Sequence, residues 1–147
     1  MKNVKKIASL LLVILIATSS CKKEDNSSST GQSATTVLNS NIQQGNWRVT
    51  SFIENGVNQT NHYTGYQFQF GTSGTVTAVN GGSTFSGTWS SGNDNSQLKL
   101  ILSFGSVAPF QELNSDWHVT QNSTLIIKLE DVSGGSGGID YLTFEKI

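Results

Sequence analysis

The sequence has few of the residues that build covalent cross-links or metal centres. Its only cysteine, Cys21, has no partner within the chain, which excludes an intrachain disulfide. The two histidines, His62 and His118, stand in different segments with no further cysteine to join them. Because a tetrahedral metal site needs three or four such ligands, we predict no metal site, and no motif indicates another cofactor.

Catalytic motifs are also scarce. The serines fall mostly in turns, and none follows a strand and opens a helix as a nucleophile elbow requires. The run Gly134–Gly138 lacks the lysine and the following helix of a phosphate loop, so we interpret it as a hairpin tip. Asp116 and the adjacent pair Glu130 and Asp131 are interpreted as solvated carboxylates rather than acid–base catalysts. We therefore expect the protein not to be an enzyme.

Basic residues are too sparse for a nucleic-acid partner. Residues 21–147 contain six basic residues and ten acidic ones, a net charge of −4. Arg48, Lys99, Lys128 and Lys146 are isolated from one another along the sequence. A protein that neutralises phosphates needs a clustered basic surface, so we predict no binding to nucleic acid.

The one long apolar run lies at the N-terminus. Residues 7–18 are almost entirely apolar and follow the basic start Met1–Lys6. As a helix this run would reach roughly 18 Å at about 1.5 Å per residue. The hydrocarbon core of a bilayer is about 30 Å thick, so the run is too short to span it. A basic start, a short apolar run and the small residues Ala17–Ser20 are typical of a signal peptide, which we assign to residues 1–20.

Cys21 directly follows this segment. A cysteine after small residues resembles the lipobox of bacterial lipoproteins, in which the thiol takes a diacylglycerol and becomes the mature N-terminus. The resemblance implies lipidation of Cys21 and attachment to a membrane through that lipid. The alternative is an ordinary signal peptide with a free thiol. Lys22–Asp25 resembles a surface-export signal of Gram-negative lipoproteins, so we expect outer-membrane attachment with surface exposure, or a periplasmic-facing protein as the alternative.

The rest of the chain divides into a tether and one domain. Residues 21–35 form the segment of Cys21 and the tether, in which residues 26–35 are mostly Ser and Thr and show no periodicity, as is typical of a flexible spacer. Residues 36–147 are long enough to bury a single core without a cross-link. At the start of this domain, Val37–Gln44 is a candidate for a short helical turn.

The domain alternates apolar and polar residues with the period of two that indicates β-strands, and none of it keeps a helical period. Short Gly, Ser and Asn segments mark the turns, among them Ser91–Asp94 and Gln121–Asn122. The residues that mark the eight predicted strands are, in order, Trp47/Val49/Ser51/Ile53, Tyr66/Phe68/Phe70, Thr75–Val79, Phe85/Gly87/Trp89, Leu98/Leu100/Leu102/Phe104, Leu113/Ser115/Trp117/Val119, Leu125/Ile127/Leu129 and Leu142/Phe144.

Eight short strands with short connections predict an all-β fold. An open meander would leave two sheet edges exposed, and pairing the first strand with the last removes both. Eight is also a strand number at which a barrel closes around an interior of side-chain size. We therefore predict an eight-stranded antiparallel up-and-down barrel, with a β-sandwich as the alternative.

Three segments of the domain resemble the lipocalin-like domains of bacterial lipoproteins. They are the opening Gly45–Trp47, the late pair formed by Glu112–Val119 with Leu125–Leu129, and the closing strand Tyr141–Lys146. The resemblance implies that Trp47 closes one end of the barrel. The late arginine that stacks on this tryptophan in lipocalins is missing, and Lys146 is a partial substitute.

Aromatic residues are the one group with functional potential. Those assigned to inward faces suit an apolar ligand, and the candidate ligand-binding residues are Trp47, Tyr66, Phe68, Phe70, Trp89, Phe104 and Trp117. A monomeric barrel that binds a small hydrophobic ligand at its open end is the first hypothesis. The second is a filled barrel that contacts a protein or glycan through its loops Asn55–Gly65 and Gly105–Phe110.

Overall fold

The computed structural model describes residues 33–132 and 138–147. The predicted signal peptide, Cys21, the Lys22–Asp25 motif and nearly all of the tether lie outside the described residues. So does most of the predicted hairpin tip Gly134–Gly138.

The described residues contain one α-helix and nine β-strands, with two 3-10 helices in the connections between strands. The 3-10 helices are Thr60–Tyr63 before the third strand and Phe110–Leu113 before the seventh. The helix α1 spans Ala34–Ile42, and the strands are β1 (Trp47–Glu54), β2 (Val57–Asn58), β3 (Gln67–Phe70), β4 (Thr75–Asn80), β5 (Ser83–Asp94), β6 (Gln97–Ser103), β7 (Ser115–Asn122), β8 (Ile126–Val132) and β9 (Ile139–Lys146).

The sheet closes on itself. From β3 to β9 each strand pairs antiparallel with the next, and β9 returns to pair with β1 over most of its length. Trp47 at the start of β1 also pairs with Phe68 of β3, which completes a ring of eight strands, β1 and β3–β9. The prediction of an eight-stranded up-and-down barrel is confirmed, and the alternative of a β-sandwich is wrong because one continuous sheet encloses the core. The short β2 was not predicted, and it pairs with β1 alone.

A β-bulge changes which side chains of β1 face the core. The register of β1 against β9 shifts between Val49 and Ser51. The extra residue exchanges inner and outer positions beyond it, so Phe52 is fully buried. Ser51 and Ile53 are only half-buried, and the prediction that they share the inner face of Trp47 is wrong.

The hairpin between β5 and β6 turns later than predicted. Ser91–Asp94 belongs to β5, and the turn is made by Asn95 and Ser96 with φ values of 47° and 67°. Two successive positive φ values match the right-handed twist of a two-residue hairpin. Asn55 and Gly56 form a similar turn between β1 and β2, with φ values of 48° and 79°.

The turn between β7 and β8 also lies later in the chain than the sequence predicted. The predicted turn Gln121–Asn122 instead completes β7, which has a second register shift between Val119 and Gln121. Ser123 holds the actual turn through hydrogen bonds to the backbone of Ile126. Leu125 therefore lies in the turn and is 69% exposed, rather than on the inner face.

The two ends of the barrel are covered by different elements. Helix α1 lies at the end where β1 begins and β9 finishes, and we call this the α1 end. It begins at Ala34, inside the segment assigned to the tether, and it buries Leu38 and Ile42, which are one turn apart. The 3-10 helices Thr60–Tyr63 and Phe110–Leu113 lie at the opposite end. Together we call them the mouth lid.

Candidate functional site

The aromatic residues predicted to bind a ligand converge on the interior of the barrel. Six of the seven are buried, and the seventh, Tyr66, is half-buried and packs against the core. Each tryptophan indole also donates a hydrogen bond to a backbone carbonyl: Trp47 to Ile42 at 2.8 Å, Trp89 to Gly71 at 2.9 Å and Trp117 to Leu113 at 2.9 Å. Their polar atoms are thus satisfied within the protein.

The α1 end is closed by Trp47. This side chain is fully buried, and the ammonium of Lys146 lies 5.7 Å from the centroid of its ring. Lys146 thus makes a cation–π contact with this tryptophan rather than planar stacking. Gly45 permits this arrangement, because it has a φ of 78° and an added Cβ would stand 3.0 Å from Cε of Lys146.

The mouth is closed by Phe110, the last residue of the loop Gly105–Phe110 that the sequence offered as a surface for contact with a protein or glycan. Its side chain is fully buried instead, although neighbouring Val107 is 41% exposed. The ring centroid of Phe110 lies 4.9 Å from that of Phe85, 5.0 Å from Tyr66 and 5.2 Å from Phe104. Phe110 therefore acts as a plug that joins the lid to the aromatic interior.

Hydrogen bonds join the two helices of the mouth lid. The phenol of Tyr63 lies 3.2 Å from both the carbonyl oxygen of Pro109 and the carboxylate of Glu112, so it donates to either. The Nδ1 atom of His62 lies 2.8 Å from the same carboxylate. The loops Asn55–Gly65 and Gly105–Phe110, which the sequence offered as separate surfaces, thus meet in one structure.

The mouth has an acidic character. Burial and the charges of Glu112 and Asp140 raise the pKa of Glu54, and His62 opposes them. Burial and Glu112 also raise the pKa of Tyr63, which keeps its phenol protonated as a donor. The four Lys and Arg residues among the described residues lie nearer the α1 end of their strands.

The carboxylates first considered for catalysis do not converge. Asp116 lies 2.6 Å from Nζ of Lys99, and this hydrogen bond lowers the pKa of Asp116. Asp131 accepts a hydrogen bond from the Ser115 hydroxyl at 2.6 Å. Glu130 and Asp131 belong to β8 rather than to a turn. Among residues 33–132 and 138–147, no three His, Cys, Asp or Glu residues come together in a way that could hold a metal ion, and no helix is long and apolar enough to cross a membrane.

An open pocket of about 260 Å³ lies beside α1. Thr35, Asn39 and Gln43 form one wall, and their spacing of four residues places them on one side of the helix. Residues 89–91 of β5 and the turn before β4 form the other wall. The sequence interpretation missed this pocket, because its lining joins a helical face to a distant strand and a turn. The four-residue repeat of polar side chains was the one available signal.

No protein-family model matches the chain, and no curated protein does. A crystal structure of a DUF4847 family protein from Bacteroides vulgatus ATCC 8482 is similar, with a TM-score of 0.49 and 19% sequence identity. The match covers 72% of this chain and 94% of that one.

Proposed function

We propose that this chain is a lipid-anchored lipoprotein of the cell envelope with a lipocalin-like domain. In this proposal the domain is a filled barrel that contacts a protein or glycan through its outer surface and mouth lid. We also propose that it is not an enzyme. The position of Phe110 is the observation that favours a filled barrel over a barrel that carries an apolar ligand. Its ring occupies the mouth through which a ligand would enter the barrel.

A ligand that entered the interior would have to displace this plug. Burying a phenylalanine side chain contributes about 1.5–3 kcal/mol, and that contribution would be lost when the ring moved into solvent. The hydrogen bonds from Tyr63 to Pro109 and Glu112 would have to break as well, because they hold the helix that carries Phe110. These linked costs favour a closed mouth.

The position of the lid also supports contact with a partner. Helix α1, which follows the predicted tether, lies at the end of the barrel opposite the lid. In this proposal the predicted tether therefore joins the barrel at the end opposite the lid. The hydrogen bonds of His62 and Tyr63 order the lid before any partner arrives, which lowers the entropic cost of binding.

Native mass spectrometry tests the choice between a filled barrel and a carrier. The protein is the mature chain, residues 21–147, with Cys21→Ala to prevent lipidation, purified from its host. We expect the bare polypeptide mass and no uptake of an uncharged apolar fluorescent probe such as N-phenyl-1-naphthylamine. Extra mass that disappears on unfolding would show a bound ligand, either inside the barrel or on its surface. If Phe110→Ala increased the occupancy of that ligand, the ligand would lie in the interior and the proposal of a filled barrel would be contradicted.

Two variants sharpen this test. Phe110→Ala should open the mouth and allow probe uptake, whereas Val107→Ala, on the exposed part of the same loop, should leave the probe signal at the background level. Uptake by the unmodified chain equal to that of Phe110→Ala would refute the closed mouth.

The lipid anchor requires a separate experiment in the host cell. Full-length chain should incorporate labelled fatty acid and sediment with membranes, and Cys21→Ala should do neither. A matched control is Ser20→Ala, which keeps the thiol and a small residue before it. Protease added to intact cells should then cleave the surface-displayed chain, whereas protection until the outer membrane is permeabilised would indicate the periplasmic side.

A further inference from the structure

The pocket beside α1 lies far from the mouth and carries an inference of its own. We propose that it binds an uncharged sugar residue, as a free sugar or as one unit of a glycan. The lining residues are Thr, Asn, Gln, Ser, Gly and Trp, and none of them carries a charge. The amides and hydroxyls of this set offer the hydrogen-bond donors and acceptors that a polyhydroxylated ring requires, whereas the ring of Trp89 is buried and is not available to stack on a ligand.

Several polar groups of the pocket are free to bind. The side-chain amide of Gln43 and the hydroxyls of Thr72 and Ser90 make no hydrogen bond within residues 33–132 and 138–147. An amide offers a donor and an acceptor close together, which matches two neighbouring hydroxyls of a sugar. Gln43 lies at the C-terminal end of α1, Thr72 lies in the turn before β4, and Ser90 lies in β5. The three groups can therefore surround a ligand from three sides.

The other polar groups hold the walls in place. The Ser91 hydroxyl donates to Oδ1 of Asn39 at 2.5 Å, and Nδ2 of Asn93 donates to the Thr35 hydroxyl at 3.0 Å. Both bonds connect α1 to β5 across the pocket. The buried indole of Trp89 donates to the carbonyl of Gly71 at 2.9 Å, which fixes β5 to the turn before β4. A pocket with fixed walls binds a small ligand without a large cost of ordering.

The size and openness of the pocket limit the ligand. Ligand sites for drug-sized molecules measure about 300–1,000 Å³. A volume of about 260 Å³ therefore suits one sugar ring rather than a larger compound. Because the pocket is open to solvent, the ring could belong to a longer chain. The absence of a charged lining residue disfavours acidic or amino sugars, whose charge would lose hydration without gaining a counter-charge.

The test is a titration followed by two-dimensional ¹H–¹⁵N NMR of the mature chain with Cys21→Ala. Glucose, galactose and N-acetylglucosamine are added separately, with glucuronate and glucosamine as charged counterparts. We expect at least one neutral sugar to shift the backbone amides of residues 35–43, 72–74 and 89–91, with Kd of about 1 mM or weaker. The charged counterpart should cause smaller shifts at the same concentration.

Variants separate a real site from general effects of sugar in solution. Gln43→Ala should weaken binding about three- to ten-fold, because it removes hydrogen bonds to the ligand. Gln111→Ala is the matched control, since Gln111 is exposed on the mouth lid at the other end. The spectra themselves report whether each variant is folded. The inference is overturned if no neutral sugar shifts the pocket amides, if Gln43→Ala has no effect, or if a charged sugar binds as well as its neutral counterpart.

A longer glycan distinguishes the two sources of the sugar. If the natural ligand is a chain, a trisaccharide of the preferred sugar should bind more tightly than the single sugar and shift the same amides. Equal affinity assigns the pocket to a free sugar. Failure of this experiment leaves the closed mouth unaffected, because the probe-uptake test concerns the opposite end of the barrel.

Discussion

The two ends of the barrel are closed by different kinds of contact. At the α1 end, Trp47 is held by the carbonyl of Ile42, which is five residues away. At the mouth, Tyr63 is held by Pro109 and Glu112, which are 46 and 49 residues away. The hydrogen bond of the first closure is local in sequence and fully buried, with the cation of Lys146 over the Trp47 ring, whereas the hydrogen bonds of the second join two distant loops through Tyr63 and Glu112. An end closed in the first way is expected to be a fixed part of the core, and an end closed in the second way is easier to perturb.

The largest effect should come from Trp47→Ala. The substitution removes a fully buried indole, its hydrogen bond and its contact with Lys146. Large aromatic-to-alanine changes in a core cost about 3–5 kcal/mol, and we expect a loss of that size in urea denaturation. A loss below about 1 kcal/mol would show that the α1 end is not a structural part of the core.

Phe110→Ala should have a smaller effect on the free energy of unfolding than Trp47→Ala. Aromatic truncation costs about 3 kcal/mol at the lower end of its range, and the lid can relax around the missing ring. The same urea denaturation measures both variants. If Phe110→Ala were the more destabilising of the two, the idea of a more easily perturbed mouth would be wrong.

Tyr63→Phe isolates the hydrogen bonds that join the two helices of the lid. The ring contacts of Tyr63 with Phe52 and Phe110 would remain, and only the phenol hydroxyl would be lost. We expect a cost of about 1 kcal/mol and faster hydrogen exchange of amides in residues 107–114. Exchange at the α1 end should be unchanged. Equal acceleration at both ends would mean that the lid does not open independently.

The smallest expected effect is a pH-dependent change in stability caused by Glu54→Gln. Because the pKa of Glu54 is raised in the folded protein, its charged form is the one that the fold disfavours. The carboxylate therefore destabilises the protein slightly at pH 7, and protonation removes this effect as the pH falls through the raised pKa. Glu54→Gln should stabilise the protein modestly at pH 7 and no longer do so below its ordinary value of 4.5. Thermal melts at a series of pH values measure this difference, and a stabilisation that grows toward low pH would reverse the assigned sign.

The contrast between contacts that are local in the chain and contacts between distant residues also explains what could be predicted from the sequence. The eight barrel strands follow from period-two alternation, and closure follows from the need to remove two sheet edges. The role of Trp47 came from the resemblance of Gly45–Trp47 to the opening segment of lipocalins. The two β-bulges were missed because an extra residue leaves no clear mark in an alternating pattern. The short β2 did leave a mark, since Asn55–Gly56 is a strong signal for a two-residue hairpin.

The candidate sites were harder to predict than the fold. The inward aromatic residues were identified correctly as a group, with the exception that Phe110 was assigned to an exposed loop. Its burial depends on Phe85 and Tyr66, which are more than twenty residues away and act only once the barrel has formed. The pocket beside α1 depends in the same way on residues 35–43, 72–74 and 89–91 meeting in space.

The pairing of β1 with β9 has a consequence for folding during synthesis. Trp47 pairs with Lys146, so the first strand of the barrel cannot find its partner until the last has emerged from the ribosome. Until then the growing chain presents an unpaired β1 edge and an unfilled interior, and folding must wait for nearly the whole polypeptide. Loss of the final strand would leave β1 and β8 without their shared partner and the barrel open.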